Sequence, residues 1–516
     1  MKNKIYLIIL VLFSVSINQY FANRGVFPID NFLIFDAAYN ITLGNHPFKD
    51  YWLITGPFLD YVQSIFFIIF GINWFSYVLH ASIINMVFTL FSFYFFLNLG
   101  LRNIYSFIYS LGIAILAYPS IGTPFIDHHS VIFALMSLYS LSLGILLKKN
   151  LFWFLTPLFL VFSFFSKQIP SSYLIILFIL IIFIYFISKD SNRKNLISLF
   201  FGSIFSLLLI ISVFYINAIP FNNFITQYIL YPSSLGDERI NKLNIDFKNL
   251  ISQFKFIYLA LLPLLVSAFL IIRSEGKNLI NKKEFIVLML FLFSVLIIIY
   301  CQLLTRNQIL IFFLIPISAA ISHVYSIKFF NKKYLIYFIV GIFIFSTGKY
   351  HIRFNLEKKF IELSNVNFTL SESSTQIDDR LKGLKWITPD FSKNPSHEIN
   401  LLKKTKNILL EKKERKIIVT DYQFFSSLLG NKFASPNKWY DDLSIPSEKN
   451  RYYNEHKNFF LSQILKNKIE SIYFIGGAKY RMSFFQELKK NNNCIVSKKL
   501  NELLTEFSIN NCKEIL

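Results

Sequence analysis

Residues 1–349 are dominated by apolar runs long enough to cross a lipid bilayer, separated by short turns. A hydrocarbon core about 30 Å thick takes roughly 20 apolar residues per helix. The runs predict helices at 4–21, 75–97, 104–122, 130–147, 151–166, 170–187, 195–217, 254–273, 284–304, 308–326 and 334–349. Hydrophobic residues make up 54% of the 516, and 61 residues are Phe, more apolar surface than a water-soluble core could hide. The expected fold class is therefore a polytopic α-helical membrane protein of about eleven transmembrane helices. Residues 1–22, with Lys2 and Lys4 before a short apolar run, share features of a signal peptide. No small-x-small cleavage site lies between Asn18 and Arg24, so they are read as the first helix.

A net charge of +22 would suit nucleic acid, but the positions of the charges argue against it. Residues 1–349 hold 24 Lys and Arg against 11 Asp and Glu. Fifteen of the basic residues, among them Arg102, Lys148, Lys149, Arg193, Lys194, Lys282, Lys283 and Lys328, fall at the ends that are cytoplasmic if the N-terminus is, with three acids. That asymmetry is an orientation signal. With an odd helix count it expects a cytoplasmic N-terminus and an extracytoplasmic C-terminus.

Two stretches stand apart from the spans. The first outer loop, about 22–74, reads as a short amphipathic helix from Asn31 to Leu43. Asp36 and Asn40 share its polar face. A second apolar stretch, Pro57 to Phe70, is too short to span and is expected at the interface. From residue 350 to 516 the composition becomes that of a water-soluble domain. Lys416–Thr420 and Ile469–Ile475 read as buried strands, Leu401–Leu410 and Phe459–Leu465 as helices. The expectation is a small α/β or α+β domain. Cys494 and Cys512 could pair if this domain lies outside the cytoplasm; Cys301 stands apart.

Eight of the eleven carboxylates in residues 1–349 fall on the expected outer side: Asp30, Asp36, Asp50, Asp60, Asp127, Asp237, Glu238 and Asp246. Acids in a membrane protein are rarely placed without cause, so chemistry or binding is expected on that face. Asp30 has two readings. It can N-cap the 31–43 helix, worth about 1 kcal/mol, or act as a general base toward a hydroxyl at the membrane surface; one residue can do both. Asp127 and His128 sit in PFIDHHS, readable as a cap, a polar loop or, more remotely, metal ligands. Lys167 and Arg306 are cations on the face opposite the positive-inside one. They either snorkel to headgroups or clamp a phosphate. Lys438-Trp439-Tyr440 and Arg451-Tyr452-Tyr453 read as core aromatics or as a sugar-stacking surface. No Walker A, dinucleotide-binding, H-E-x-x-H or G-x-S-x-G pattern is present.

The order of these signals resembles the GT-C membrane glycosyltransferases, in particular the bacterial relatives of dolichyl-phosphate-mannose protein mannosyltransferases and of the lipid A aminoarabinose transferase. The resemblance rests on Asp30, Gly44, Phe48-Lys49-Asp50, Gly56-Pro57 and Phe70-Gly71, then SFFSKQIP (163–170) and TRNQILIFFLIP (305–316). It covers residues 1–330. Asn31 stands where the family often carries a second acid, and Phe48-Lys49 where it carries Tyr-Arg. The resemblance implies an inverting transfer of a sugar from a polyprenyl-phosphate donor to an envelope lipid, glycan or protein hydroxyl. Asp30 would be the base. Lys167, Arg306 and Lys49 would hold the donor phosphate, and Asp50, Asp127 and His128 would position sugar or acceptor. No cofactor is required, although a divalent metal at Asp50 or Asp127 is compatible. Two other classes compete. An envelope polysaccharide polymerase or ligase would concentrate its cations in the loop from Ala218 to Leu250, which is mixed in charge. A lipid-linked sugar transporter would show repeats and broken helices.

Overall fold

In hydrocarbon a backbone has no water to bond with, so each apolar run closes its own hydrogen bonds as a helix. The computed structural model of the chain describes residues 2–188, 192–241, 247–275, 279, 282–305, 311–329, 333–441, 443–476 and 495–509. Its helices are α1 (Lys2–Ala22), α2 (Pro28–Asn31), α3 (Phe35–Thr42), α4 (Pro57–Phe70), α5 (Trp74–Asn98), α6 (Asn103–Leu116), α7 (Ile126–Leu147), α8 (Asn150–Ser166), α9 (Ser171–Ile187) and α10 (Arg193–Ile216). They continue as α11 (Phe221–Phe224), α12 (Tyr231–Asn241), α13 (Lys255–Glu275), α14 (Lys283–Thr305), α15 (Leu314–Phe329) and α16 (Lys333–Tyr350).

Seven of these, α1, α5, α7, α10, α13, α14 and α16, are long and apolar enough to cross a membrane. Helices α6, α8, α9 and α15 are shorter and equally apolar. The chain is an integral membrane protein. Helix α7 runs through the centre with nearly every side chain buried, whereas α10 turns most of its surface outward. Helix α4 has 14 residues, about 21 Å at 1.5 Å each, short of a full crossing.

Several boundaries differ from the sequence reading, and contacts across the fold account for two of them. The helix expected over 31–43 is broken into α2 and α3. Asn31 turns its side chain back to accept the Phe27 N–H at 2.8 Å and donates to the Ile121 carbonyl at 3.1 Å, which locks the chain at the break. Asp30 therefore lies inside α2, whose N-cap is Phe27 and carries no side-chain cap; the capping role expected of Asp30 is corrected. Helix α6 stops at Leu116 rather than 122, and α7 begins at Ile126 rather than 130. The loop between them is pinned at Gly122, which takes φ +82° and packs so close to Ala22 that a Cβ would lie 2.5 Å from its backbone. The stretch after α10 is a helical segment ending in α12, not an open loop.

Beyond α16, helix α17 (Pro395–Glu411) precedes strand β3 (Lys416–Thr420), after the two-residue strands β1 (Glu372–Ser373) and β2 (Lys385–Trp386). Short α18 (Phe425–Leu428) and α19 (Tyr453–Lys466) follow, then β4 (Ser471–Ile475), β5 (Ile495–Lys499) and β6 (Leu504–Ile509). The four-stranded sheet has the order β3-β4-β6-β5. Strands β3 and β4 are parallel, with Ile417 opposite Ile472, and the other pairs are antiparallel. This is the expected small α/β layer, and both expected strands and both expected helices are present. Cys494, Cys512, Arg306 and Asp246 lie outside the described residues.

The segment between α1 and α5 is interlocked with the sheet-bearing part. The Gly25 and Val26 N–H groups donate to the carbonyls of Lys385 and Ile387 at 2.9 and 3.0 Å. Trp52 exchanges backbone bonds with Pro436 and Lys438 at 2.7 and 3.1 Å. One hydrophobic core runs from the bundle through Phe32, Trp386 and Phe424 into the sheet-bearing part.

Candidate active site

The interlock encloses a cavity of about 530 Å³ at the end of the bundle that carries the sheet. Its walls come from the 29–33 and 54–55 segments, the start of α7, the α8–α9 turn, α12, the end of α14, and residues 360–362 and 439–444. Elements more than 400 residues apart in sequence thus meet in one space.

Asp30 projects from α2 beside Ile29, Leu33, Phe125 and Trp439. Among the described residues its carboxylate has no hydrogen-bond or ion-pair partner. Burial pushes its pKa up to about 7, and the negative charges of Asp127, Glu362 and Asp441 add to the shift. A carboxylate that ionises near neutrality and keeps its lone pairs free is suited to proton abstraction.

Asp127, in the same cavity, stands in the first turn of α7, where the helix dipole favours an acid. It accepts from the Lys167 Nζ at 2.5 Å. Lys167 is the C-cap of α8. The next residue, Gln168, anchors that turn by donating to the Ile54 and Tyr228 carbonyls at 2.7 and 2.8 Å. Arg239 of α12 lines the same wall, and Thr305, the last residue of α14, stands beside it. A second cavity of about 480 Å³ continues from Lys167, Gln168, Pro232 and Arg239 along α9 and α12, past Phe164, Ile169, Ile229 and Ile240. The cations Lys167 and Arg239 line both cavities, whereas Asp30, Glu362 and Asp441 line only the first.

The sheet-bearing part supplies one rim. Asp441 is held by accepting the Leu443 and Ser444 N–H groups on one oxygen, at 3.1 and 2.7 Å. The buried Ser444 Oγ has no partner among the described residues. Glu362 takes φ +61°, uncommon for a residue with a side chain and retained only where surrounding structure holds it. None of these three was singled out by sequence. Trp439 was, in the aromatic-basic stretch, and it is both largely buried and a wall of the cavity.

Three other expected residues lie elsewhere. Asp50 accepts the His46 N–H at 2.8 Å and pairs with Lys466 at 3.0 Å. Lys49 donates to the Asn217 carbonyl at 2.9 Å. The His128 ring is buried behind the wall against Tyr118 and Phe360, with Nε2 at 3.2 Å from the Ser120 Oγ. None of the three lines the cavity. Asp36 proves structural: it accepts the Ser426 and Ser427 N–H groups at 3.0 Å each and so caps α18. Burial raises its carboxyl to about 6 against the lowering pull of those bonds. Among the described residues no three His, Cys, Asp or Glu side chains stand together as a metal would require.

Neither a family model nor a curated protein sequence matches the chain. Among solved structures it is similar to the Archaeoglobus fulgidus oligosaccharyltransferase, crystallised with a tethered acceptor peptide containing the NVT sequon. The identity is 12%, the TM-score 0.44, and the match covers 98% of this chain and 74% of that one. At such values donor, acceptor and chemistry have to be reasoned from the chain's own residues.

Proposed function

We propose that this protein is an inverting glycosyltransferase that moves a sugar from a polyprenyl-phosphate donor to an acceptor hydroxyl at the outer face of a bacterial inner membrane. The observation that supports it best is that one cavity holds both the Asp30 carboxylate, unpartnered among the described residues, and the cations Lys167 and Arg239. In the proposed step the acceptor hydroxyl gives its proton to Asp30 while its oxygen attacks the anomeric carbon. The bond from that carbon to the phosphate oxygen breaks on the opposite side. The phosphate leaves with the bonding pair, and Lys167 and Arg239 stabilise its charge; Arg306, next after Thr305 in the chain, is the third cation assigned to this role. Asp127 keeps the Lys167 ammonium aimed, leaving two further N–H donors for phosphate. The apolar stretch of the second cavity suits the first prenyl units, and the tail continues into lipid. A donor of this kind needs no nucleotide-binding fold, in keeping with the motifs the sequence lacks. The basic residues at the opposite end of the bundle favour an extracytoplasmic site.

The test supplies purified wild type and Asp30→Asn with radiolabelled polyprenyl-phosphate sugars and envelope extract. Wild type should transfer label, and the variant should lose at least about 100-fold of the rate, the contribution of a general base, while still binding donor. Equal rates would remove Asp30 from the chemistry. No turnover with any donor would sink the transferase reading.

A further inference from the structure

A separate slot lies on the outward flank of the bundle. Helix α10 touches α8 closely at Gly202, where a Cβ would lie 2.3 Å from the Phe154 carbonyl oxygen. Farther along, between Phe165 of α8 and Val213 of α10, the two helices no longer meet. The opening is closed on its third side by α4, through Phe58 and Val62. The result is a cavity of about 230 Å³ with wholly apolar walls that shares no lining residue with the two cavities above. It is open sideways: Ile65 and Leu209 on its edges are 53% and 37% exposed. The surface of α10 below it presents Phe201, Phe205 and Leu208, a face that only hydrocarbon can cover without cost.

The rim of the slot is polar. Lys49 follows the lining residues Pro47 and Phe48, and its ammonium sits 2.9 Å from the Asn217 carbonyl, two residues from the lining Ile219. Tyr61 lines the slot and turns its hydroxyl to the His46 Nδ1 at 3.3 Å. The nearby acid, Asp50, is already met by Lys466. An apolar slot under a cationic rim matches a lipid at its headgroup boundary.

We propose that this slot is a phospholipid site, holding one acyl chain between α4, α8 and α10 with the lipid phosphate on Lys49. The full-length protein, purified in mild detergent, would be titrated with phosphatidylglycerol and with phosphatidylcholine of identical acyl chains and followed by native mass spectrometry. One phosphatidylglycerol should remain after loosely held lipid is stripped, preferred about fivefold, as expected of one lysine facing an anionic headgroup. Val213→Trp fills the slot and should abolish that retention. Ile65→Trp, filling it from the opposite wall, should do the same. Lys49→Gln should keep a lipid but lose the preference. Undiminished retention in both tryptophan variants, no preference in wild type, or a polyprenyl phosphate as the retained molecule would each overturn the proposal.

Discussion

Asp30 is one of four acids around the cavity, and its neighbours decide its chemistry. Asp127 is neutralised by Lys167 and Asp441 is tied by backbone N–H groups, whereas Asp30 stays unpartnered among the described residues in an apolar wall and is raised to about 7. The sign follows from linkage. A carboxyl whose folded pKa lies above its ordinary 3.8 favours the folded state while protonated. That contribution is complete below about 4 and is lost as pH rises through about 7. Wild type should therefore lose thermal stability relative to Asp30→Asn between about pH 4 and 7 and hold a constant difference above 7, read as the difference in Tm. In the assay, kcat/KM should rise about tenfold per pH unit below 7 and level off above it. A pH-independent kcat/KM would mean that Asp30 is not the base. In the same cavity, Lys167→Gln should lower kcat by about 100-fold, the cost of one lost donor to developing charge. A change confined to KM would instead assign Lys167 to ground-state donor binding.

Among the elements, α2, α3 and α4 act as a clasp between the bundle and the sheet. Asp36 of α3 caps α18, and Asp60 of α4 forms a fully buried ion pair with Lys438 while its other carboxylate oxygen accepts from the Tyr51 hydroxyl at 3.1 Å. Breaking a buried pair strands a charge, whereas replacing both partners with apolar groups does not. Lys438→Met should thus destabilise the protein by about 3–5 kcal/mol. Combining it with Asp60→Leu should recover most of the loss, as measured by denaturant unfolding in detergent. Equal destabilisation in the single and double variants would show that the pair is not what joins these elements. The neighbouring Trp439 lines the cavity, so loosening the clasp should also slow the transfer reaction.

For the whole molecule, the clasp places the 22–74 segment and the sheet on one side of the bundle. The concentration of basic residues at the other ends favours the proposed orientation, with both outside the cytoplasm. In a background with Cys301, Cys494 and Cys512 replaced by Ser, Lys449→Cys, an exposed position near the sheet, should react with an impermeant maleimide on intact spheroplasts. Lys149→Cys, exposed at the other end, should react only after permeabilisation. The reverse pattern would invert the topology and put the cavity in the cytoplasm, out of reach of an outer-leaflet donor.

The spans, the interfacial helix and the two buried strands were legible in the sequence because they depend on local hydrophobic length and period. The charge asymmetry was equally legible, being a count along the chain. Asp30, Asp127 and Lys167 stood out for a related reason: an ionisable group beside an apolar span is conspicuous without knowing its neighbours. Yet Lys49, Asp50 and His128 looked just as eligible, and only the folded chain separates them. Side-chain direction is set by packing against distant elements, which turned Asp50 to Lys466, Lys49 to Asn217 and the His128 ring into the bundle. Tertiary structure also supplied Glu362, Asp441 and Ser444, brought to Asp30 by a clasp whose partners lie hundreds of residues apart. The break between α2 and α3 belongs to the same class. A bond from Asn31 to Ile121 across the fold ended a helix that local periodicity alone would have continued.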